Sequence, residues 1–142
     1  MIASAVPLLL VVASIVALGV TGNLFVRSPL VIAAQIAAIG LSIWARRSFQ
    51  KGTFRVTATP GGSATIRNGP YRIVRHPMYA AALLFIWAAV VSHVSVFTLT
   101  VGFIVSGIAI ARVVVEERLL RARYADYPDY VRTTRALVPY VF

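Results

Sequence analysis

The sequence contains no cysteine and few charged residues, and each shortage excludes a class of protein. Without cysteine the chain has no disulfides, no thiolate nucleophile and no cysteine-based metal site. Charged residues make up 13% of the 142 residues, whereas hydrophobic residues make up 59%. A soluble domain carries roughly a quarter charged residues, and a chain this apolar cannot cover a water-soluble globule with polar side chains. The composition therefore predicts a protein of the lipid bilayer.

Acidic residues are also scarce, with four against fourteen basic residues and a formal net charge of +10. The basic residues punctuate apolar runs and form no continuous basic helix or known DNA-binding motif, so we expect no nucleic-acid partner. Lysine and arginine collect on the cytoplasmic side of membrane proteins. Thirteen of the fourteen basic residues fit on the cytoplasmic side of the membrane, and only Arg27 falls on the opposite side. This distribution predicts that both termini face the cytoplasm.

Four apolar runs are candidates for helices that cross a hydrocarbon core of about 30 Å. The first is expected to be a retained span and not a signal peptide, because no basic residue precedes it. A polar connection at residues 46–76 and a cytoplasmic segment at 116–142 complete the chain, the latter beginning with an interfacial helix that continues the fourth span. The predicted fold class is all-α, one polytopic membrane domain over residues 1–142. Its spans are expected at residues 2–22, 29–45, 77–91 and 94–115.

Polar groups concentrate where the connection meets the third span, in the string NGPYRIVRHPMY at residues 68–79. It contains Tyr71, Arg72, Arg75, His76 and Tyr79 around two prolines and a glycine. Prolines stiffen the backbone and so hold polar groups at a defined depth. A basic anchor with interfacial aromatic residues would have a similar composition. The string alone leaves both interpretations open.

A second polar group lies at the end of the fourth span, where Arg112, Glu116 and Glu117 follow an apolar run. Arg112 and Glu116 are four residues apart and therefore share one helix face. The pair is either a simple ion pair at the membrane boundary or part of an ionic ligand site, because ionisable groups at this depth generally face a cavity or a partner. His93 lies in the predicted turn on the opposite side, and two isolated histidines predict no metal site.

The string GPYRIVRHPMY, followed after a hairpin by RVVVEERLL and by a tyrosine- and arginine-rich tail closing on Pro139, resembles the isoprenylcysteine carboxyl methyltransferase family. That family belongs to a wider group that includes phospholipid N-methyltransferases. The resemblance covers about residues 60–142. It implies S-adenosylmethionine as the methyl donor, bound in a cytoplasm-facing cavity without a Rossmann domain. One departure is Ala81, where many members of the family have glycine.

The resemblance also implies roles for individual residues. Arg112 would engage the carboxylate of the substrate. The residues implied to bind the cofactor are Ser63, Ala64, Thr65, Ile66, Tyr71, His76, Pro77, Met78, Tyr79 and Glu116.

The predicted function is methyl transfer to a lipophilic acceptor, a carboxylate of the prenylcysteine type, which enters sideways from the surrounding membrane lipids. A carboxylate is already ionised at neutral pH, whereas an amine acceptor would need a base, for which His76 or Glu117 is the candidate. Three alternatives stay open: a membrane lipid N-methyltransferase, an NADPH-dependent enzyme resembling the sterol reductases, and a non-enzymatic scaffold that holds anionic lipids on its basic face.

Overall fold

The computed structural model describes residues 2–25, 27–48 and 67–138, and of residues 2–8 it describes the backbone. Within these ranges the chain is helical, with one isolated β-bridge, and the predicted all-α class is confirmed. A 3₁₀ helix, Gly69–Arg72, precedes the third α-helix. The α-helices are α1, Ile2–Val20; α2, Pro29–Arg47; α3, Pro77–Ser92; α4, Val96–Arg123; and α5, Tyr127–Thr133.

Local sequence determines where the helices begin. Pro29 and Pro77 open α2 and α3, in the first turn where the missing N–H of proline costs no hydrogen bond. Ser95 and Thr98 form a capping box at the start of α4. The charged segment after residue 115 continues α4 without a break as far as Arg123. The continuation of the fourth helix was predicted, and the separate short helix α5 was not.

Two helices, Pro29–Arg47 and Val96–Arg123, are long and apolar enough to cross a bilayer. The third helix has 16 residues, which at 1.5 Å per residue gives about 24 Å, less than the usual hydrocarbon thickness. Large apolar side chains project outward from the two long helices, with Leu30 82% and Val96 85% exposed. These features support a membrane protein, while the arrangement of four spans remains a prediction.

Close packing of α3 on α4 positions the polar residues at their ends. Gly102 of α4 lies against Trp87 of α3, and a Cβ at this glycine would be 3.3 Å from the indole ring. Four residues further along, Ser106 accepts a hydrogen bond from the Trp87 indole at 3.0 Å. Small residues of this kind let apolar helices approach closely. A core that includes Leu18 of α1 and Ile86 of α3 forms beside this contact.

The segment after α5 returns to the start of α3 and pairs with it. The backbone N–H of Arg75 donates to the carbonyl of Arg135 at 2.7 Å, and that of His76 donates to Ala136 at 3.0 Å. Leu137 is buried and packs with Val113 of α4. The C-terminal segment therefore packs on the body of the protein at Leu137, and residues 139–142 lie outside the described part of the chain.

Gly69 is the position in this region that a larger residue would disturb most. Its φ is +57°, and a Cβ there would overlap the hydroxyl oxygen of Ser48 and lie 3.1 Å from the indole nitrogen of Trp44. We expect Gly69→Ala to lower the free energy of unfolding by about 1–3 kcal/mol, the usual cost of a strained backbone position. Thermal unfolding in detergent measures the loss.

Gly107→Ala is the matched control for this substitution. Gly107 lies inside α4, and a Cβ there meets no atom within 4 Å apart from its chain neighbours and the backbone of its own helix. Alanine should therefore stabilise the helix at this position by about 0.5–1 kcal/mol. Equal unfolding temperatures for the two variants would contradict the role of Gly69.

Candidate active site

Glu116 belongs to a half-buried hydrogen-bonded triangle between α3 and α4. Its Oε1 accepts a hydrogen bond from the Tyr79 hydroxyl at 2.6 Å and another from Nη2 of Arg112 at 3.0 Å. Nε of Arg112 donates to the same tyrosine oxygen at 3.2 Å. The side chains of Arg112 and Glu116 are 13% and 19% exposed. A charged pair so poorly solvated needs all of these contacts to offset its desolvation.

Glu117 follows directly in the helix and faces different partners. Its Oε1 accepts from Nε of Arg75 at 2.8 Å, and its Oε2 lies 3.7 Å from the guanidinium of Arg121. Arg75 also donates to the carbonyl of Thr134 at 2.5 Å. Arg75 is 9% exposed and joins α4, the turn before α3 and the segment after α5. The poorly exposed guanidinium of Arg75 therefore links three parts of the chain through its hydrogen bonds.

His76 lies between the two glutamates. Its Nδ1 is 3.6 Å from Oε2 of Glu116, and its Nε2 is 3.5 Å from Oε1 of Glu117. These are ion-pair distances, and among the described residues Nε2 has no partner that satisfies hydrogen-bond geometry. Burial by itself lowers the pKa of His76, but the two carboxylates outweigh burial and raise the pKa above its ordinary value of 6.5. The site therefore favours the protonated ring.

Tyrosines form the wall on the side of α5. The Tyr130 hydroxyl donates to the carbonyl of Tyr71 at 2.6 Å, and the Arg67 guanidinium lies 5.2 Å from the centre of the Tyr130 ring. Burial raises the pKa of Tyr71, with further increases from Tyr130 and Glu116. Burial, followed by the charge of Glu117, raises the pKa of Tyr127 to about 12. These phenols are therefore neutral at physiological pH, and they can donate hydrogen bonds or present aromatic faces.

The structure brings together five of the residues that the sequence singles out for a site: Tyr71, His76, Tyr79, Arg112 and Glu116. Pro77 is buried as the first residue of α3, and Met78 beside it is half-buried. The remaining four, Ser63, Ala64, Thr65 and Ile66, lie outside the described residues.

Sequence reasoning missed the contacts of Arg75 and the pairing of residues 73–76 with the segment at 135–136. The only signal was the position of Arg75 next to His76 in the polar string. Nothing in a local pattern shows that its partner is a glutamate 42 residues away.

An apolar cavity of about 640 Å³ lies beside the polar cluster. The two share the turn before α3: Pro70, Val74 and Pro77 line the cavity, while Tyr71 and His76 belong to the cluster. The volume falls within the range of about 300–1,000 Å³ that is usual for small-molecule pockets. The lining residues are Leu41, Trp44, Pro70, Ile73, Val74, Pro77, Ala80, Leu83, Leu84, Trp87, Leu137 and Val138.

A family model described as phospholipid methyltransferase matches residues 26–127, which include α2, α3, α4 and the side chains of Tyr79, Arg112 and Glu116, whereas α5 after Tyr127 and the segment that follows it lie outside the match. The chain belongs to the phospholipid methyltransferase family. No curated protein matches the chain, and no solved structure does. Membership of this family, together with the apolar helices, makes the protein a membrane methyltransferase.

Proposed function

We propose that the protein transfers a methyl group from S-adenosylmethionine to a lipophilic acceptor at the cytoplasmic face of the membrane. The acceptor group in this proposal is a carboxylate of the prenylcysteine type. The observation that carries the proposal is that a half-buried polar cluster, Tyr79 with Arg112 and Glu116, and an apolar cavity of about 640 Å³ both adjoin the start of α3. A polar reacting group on a long apolar tail needs this combination.

The residues of the cluster fit S-adenosylmethionine. The donor carries a sulfonium, an ammonium and a carboxylate, and its cationic groups need negative or aromatic neighbours in a poorly solvated site. Glu116 supplies a carboxylate, and Tyr71 and Tyr79 supply aromatic rings within reach of it. When bound, the donor supplies an activated methyl group. The task of the residues is to orient donor and acceptor and to exclude water.

The same cluster suits an anionic acceptor. The guanidinium of Arg112 already donates a hydrogen bond to a carboxylate oxygen of Glu116 at 3.0 Å. The site therefore accommodates a pair of guanidinium and carboxylate. A carboxylate acceptor needs no base. The tail of the acceptor would occupy the apolar cavity, which begins one residue from His76 at Pro77.

A second candidate acceptor is the amine of a phospholipid headgroup, which the family match favours. An amine must lose its proton before methylation. Of the two candidate bases, Glu117 is held by Arg75 at 2.8 Å and His76 lies between two carboxylates. We keep the carboxylate as the proposed acceptor because Arg112 supplies a guanidinium of the kind that pairs with carboxylates.

Incubation of the purified protein in lipid nanodiscs with isotopically labelled S-adenosylmethionine and a total lipid extract tests the proposal. Mass spectrometry should find the label as a methyl ester on an acidic lipid. Label on a headgroup nitrogen would select the phospholipid amine instead. Thermal shifts with S-adenosylhomocysteine and with NADPH test the donor, and stabilisation by NADPH alone would replace this function with a reductase.

Arg112→Ala separates acceptor binding from donor binding. Because a hydrogen bond to a charged group contributes about 1.5–3 kcal/mol, we expect kcat/KM for a carboxylate acceptor to fall by about 10–150-fold. Donor affinity should change much less, and Arg112→Lys should recover part of the activity. Arg118→Ala, at an exposed arginine of the same helix, is the control. If donor binding disappears together with activity, Arg112 holds the donor or the fold and not the acceptor.

A further inference from the structure

The charges of the buried cluster balance, apart from one residue. Arg75 and Arg112 contribute two positive charges, and Glu116 and Glu117 contribute two negative ones. His76 lies between both glutamates with 5% of its side chain exposed. The net charge of the cluster is therefore set by whether this ring carries a proton. A ligand that brings its own charge into the cluster must compete with that proton.

The tyrosines and the arginine around His76 do not change their charge near neutral pH. On α3 the Tyr79 ring lies 5.9 Å from the His76 ring, on the 3₁₀ helix Tyr71 interacts with Glu116, and on α5 Tyr127 interacts with Glu117. Arg121 of α4 lies 3.7 Å from Glu117 on its exposed side. Phenols and guanidinium groups keep one protonation state near neutral pH. Histidine is the group that changes charge there.

We propose that His76 is a specificity-determining residue that distinguishes the methyl donor from its demethylated product, because the ring loses its proton to solvent when the donor binds and keeps it when the product binds. This inference rests on the proposed use of S-adenosylmethionine. The donor has a net charge of +1, from a sulfonium, an ammonium and a carboxylate, whereas S-adenosylhomocysteine lacks the sulfonium and is neutral overall. In a desolvated cluster the donor and a protonated His76 repel each other, and the product removes that repulsion.

The proton and the methyl group are accounted for separately. His76 releases its proton to solvent when the cationic donor binds. In the transfer the bond between sulfur and the methyl carbon breaks, sulfur keeps the electron pair, and a carboxylate oxygen of the acceptor forms the new bond to carbon. The sulfonium loses its positive charge and the acceptor carboxylate loses its negative charge in the same step. With S-adenosylhomocysteine alone in the site, the cluster lacks the charge of the sulfonium, and His76 carries a proton taken back from solvent. The protonated ring then pairs with both glutamates again, so that Glu116 interacts with His76 and not with the product.

Linkage gives this exchange a measurable size. If one proton leaves on binding, donor affinity falls about tenfold for each pH unit below the pKa of His76 in the cluster. The affinity for S-adenosylhomocysteine should stay within about twofold over the same range. As the pH rises above that pKa, the ring is already neutral and the preference for one ligand becomes independent of pH.

Isothermal titration calorimetry of the full chain in nanodiscs, run in two buffers with different heats of ionisation, counts the protons. S-adenosylmethionine should release up to one proton near neutral pH, and S-adenosylhomocysteine close to none. An analogue with an ammonium in place of the sulfonium should behave like the donor. These three titrations use the unmodified protein and do not depend on how any variant folds.

A pair of histidine variants assigns the proton to its residue. His76→Gln should remove the difference between donor and product, whereas His93→Gln, in the turn between α3 and α4, should keep it. Equal proton release by donor and product, or a difference that survives His76→Gln, overturns the inference and leaves the proposed function intact. If neither S-adenosyl compound binds, the proposed function fails and the inference fails with it.

Discussion

Replacing Glu116 with glutamine is expected to weaken the binding of S-adenosylmethionine by about 10²-fold, within the range for removal of one partner from a buried charge pair. Glutamine keeps the size of the side chain and an oxygen that can accept from the Tyr79 hydroxyl, now at 2.6 Å. It removes the negative charge that would face the cationic groups of the donor. Isothermal titration calorimetry of the purified protein measures the change.

Asp129→Asn provides the control for Glu116→Gln. Asp129 is an acid in the same part of the chain, but its side chain is 76% exposed and lies 3.8 Å from an equally exposed Arg132. Loss of this charge should leave donor affinity unchanged. A folded Glu116→Gln protein that binds the donor as tightly as the Asp129→Asn protein would remove Glu116 from the site. The non-enzymatic scaffold would then become the stronger alternative.

Arg75→Ala is expected to cost about 3–5 kcal/mol of the free energy of unfolding, because it leaves the buried carboxylate of Glu117 without its guanidinium. The pair is 2.8 Å apart, with 9% and 16% of the two side chains exposed. The substitution also removes the donor that the Thr134 carbonyl accepts from. Denaturation in detergent, followed by circular dichroism, measures the loss.

Two further variants make the measurement on Arg75 specific. Arg132→Ala removes an arginine that is 82% exposed, and surface pairs of this kind contribute about 0–1 kcal/mol. The double variant Arg75→Met with Glu117→Gln should recover much of the stability, since it leaves no uncompensated buried charge. An Arg75→Ala protein as stable as the Arg132→Ala protein would show that the charge does not hold the segments together.

The helices could be predicted from the sequence because local features define them. Pro77 opens α3 where the apolar run begins, and the charged residues after 115 continue α4 with helical spacing. The pairing of Arg112 with Glu116 also follows from a spacing of four residues. An apolar pattern does not by itself show that a helix spans the membrane. The 16 residues of α3 are apolar, but they are fewer than a membrane-spanning helix usually has.

The partners of the polar residues were harder to predict because they are distant in sequence. Glu116 and Glu117 are adjacent and chemically equivalent in the sequence. On a helix, however, the side chains of successive residues point about 100° apart. One therefore meets Tyr79 and the other Arg75, 37 and 42 residues away. Helical periodicity gives the direction of each carboxylate. It does not give the neighbour, which depends on how α3 and the segment after α5 pack.

The backbone pairing of Arg75 and His76 with residues 135 and 136 has a consequence for biosynthesis. The two described helices that are long and apolar enough to cross a bilayer, α2 and α4, precede that segment in the chain, so they are synthesised before it. Until it emerges, Arg75 lacks the Thr134 carbonyl, and the two backbone N–H groups lack their acceptors. The charged cluster is therefore completed after both helices have been synthesised. A chain that ends before residue 134 would contain both of these helices yet lack the backbone groups that complete the charged cluster.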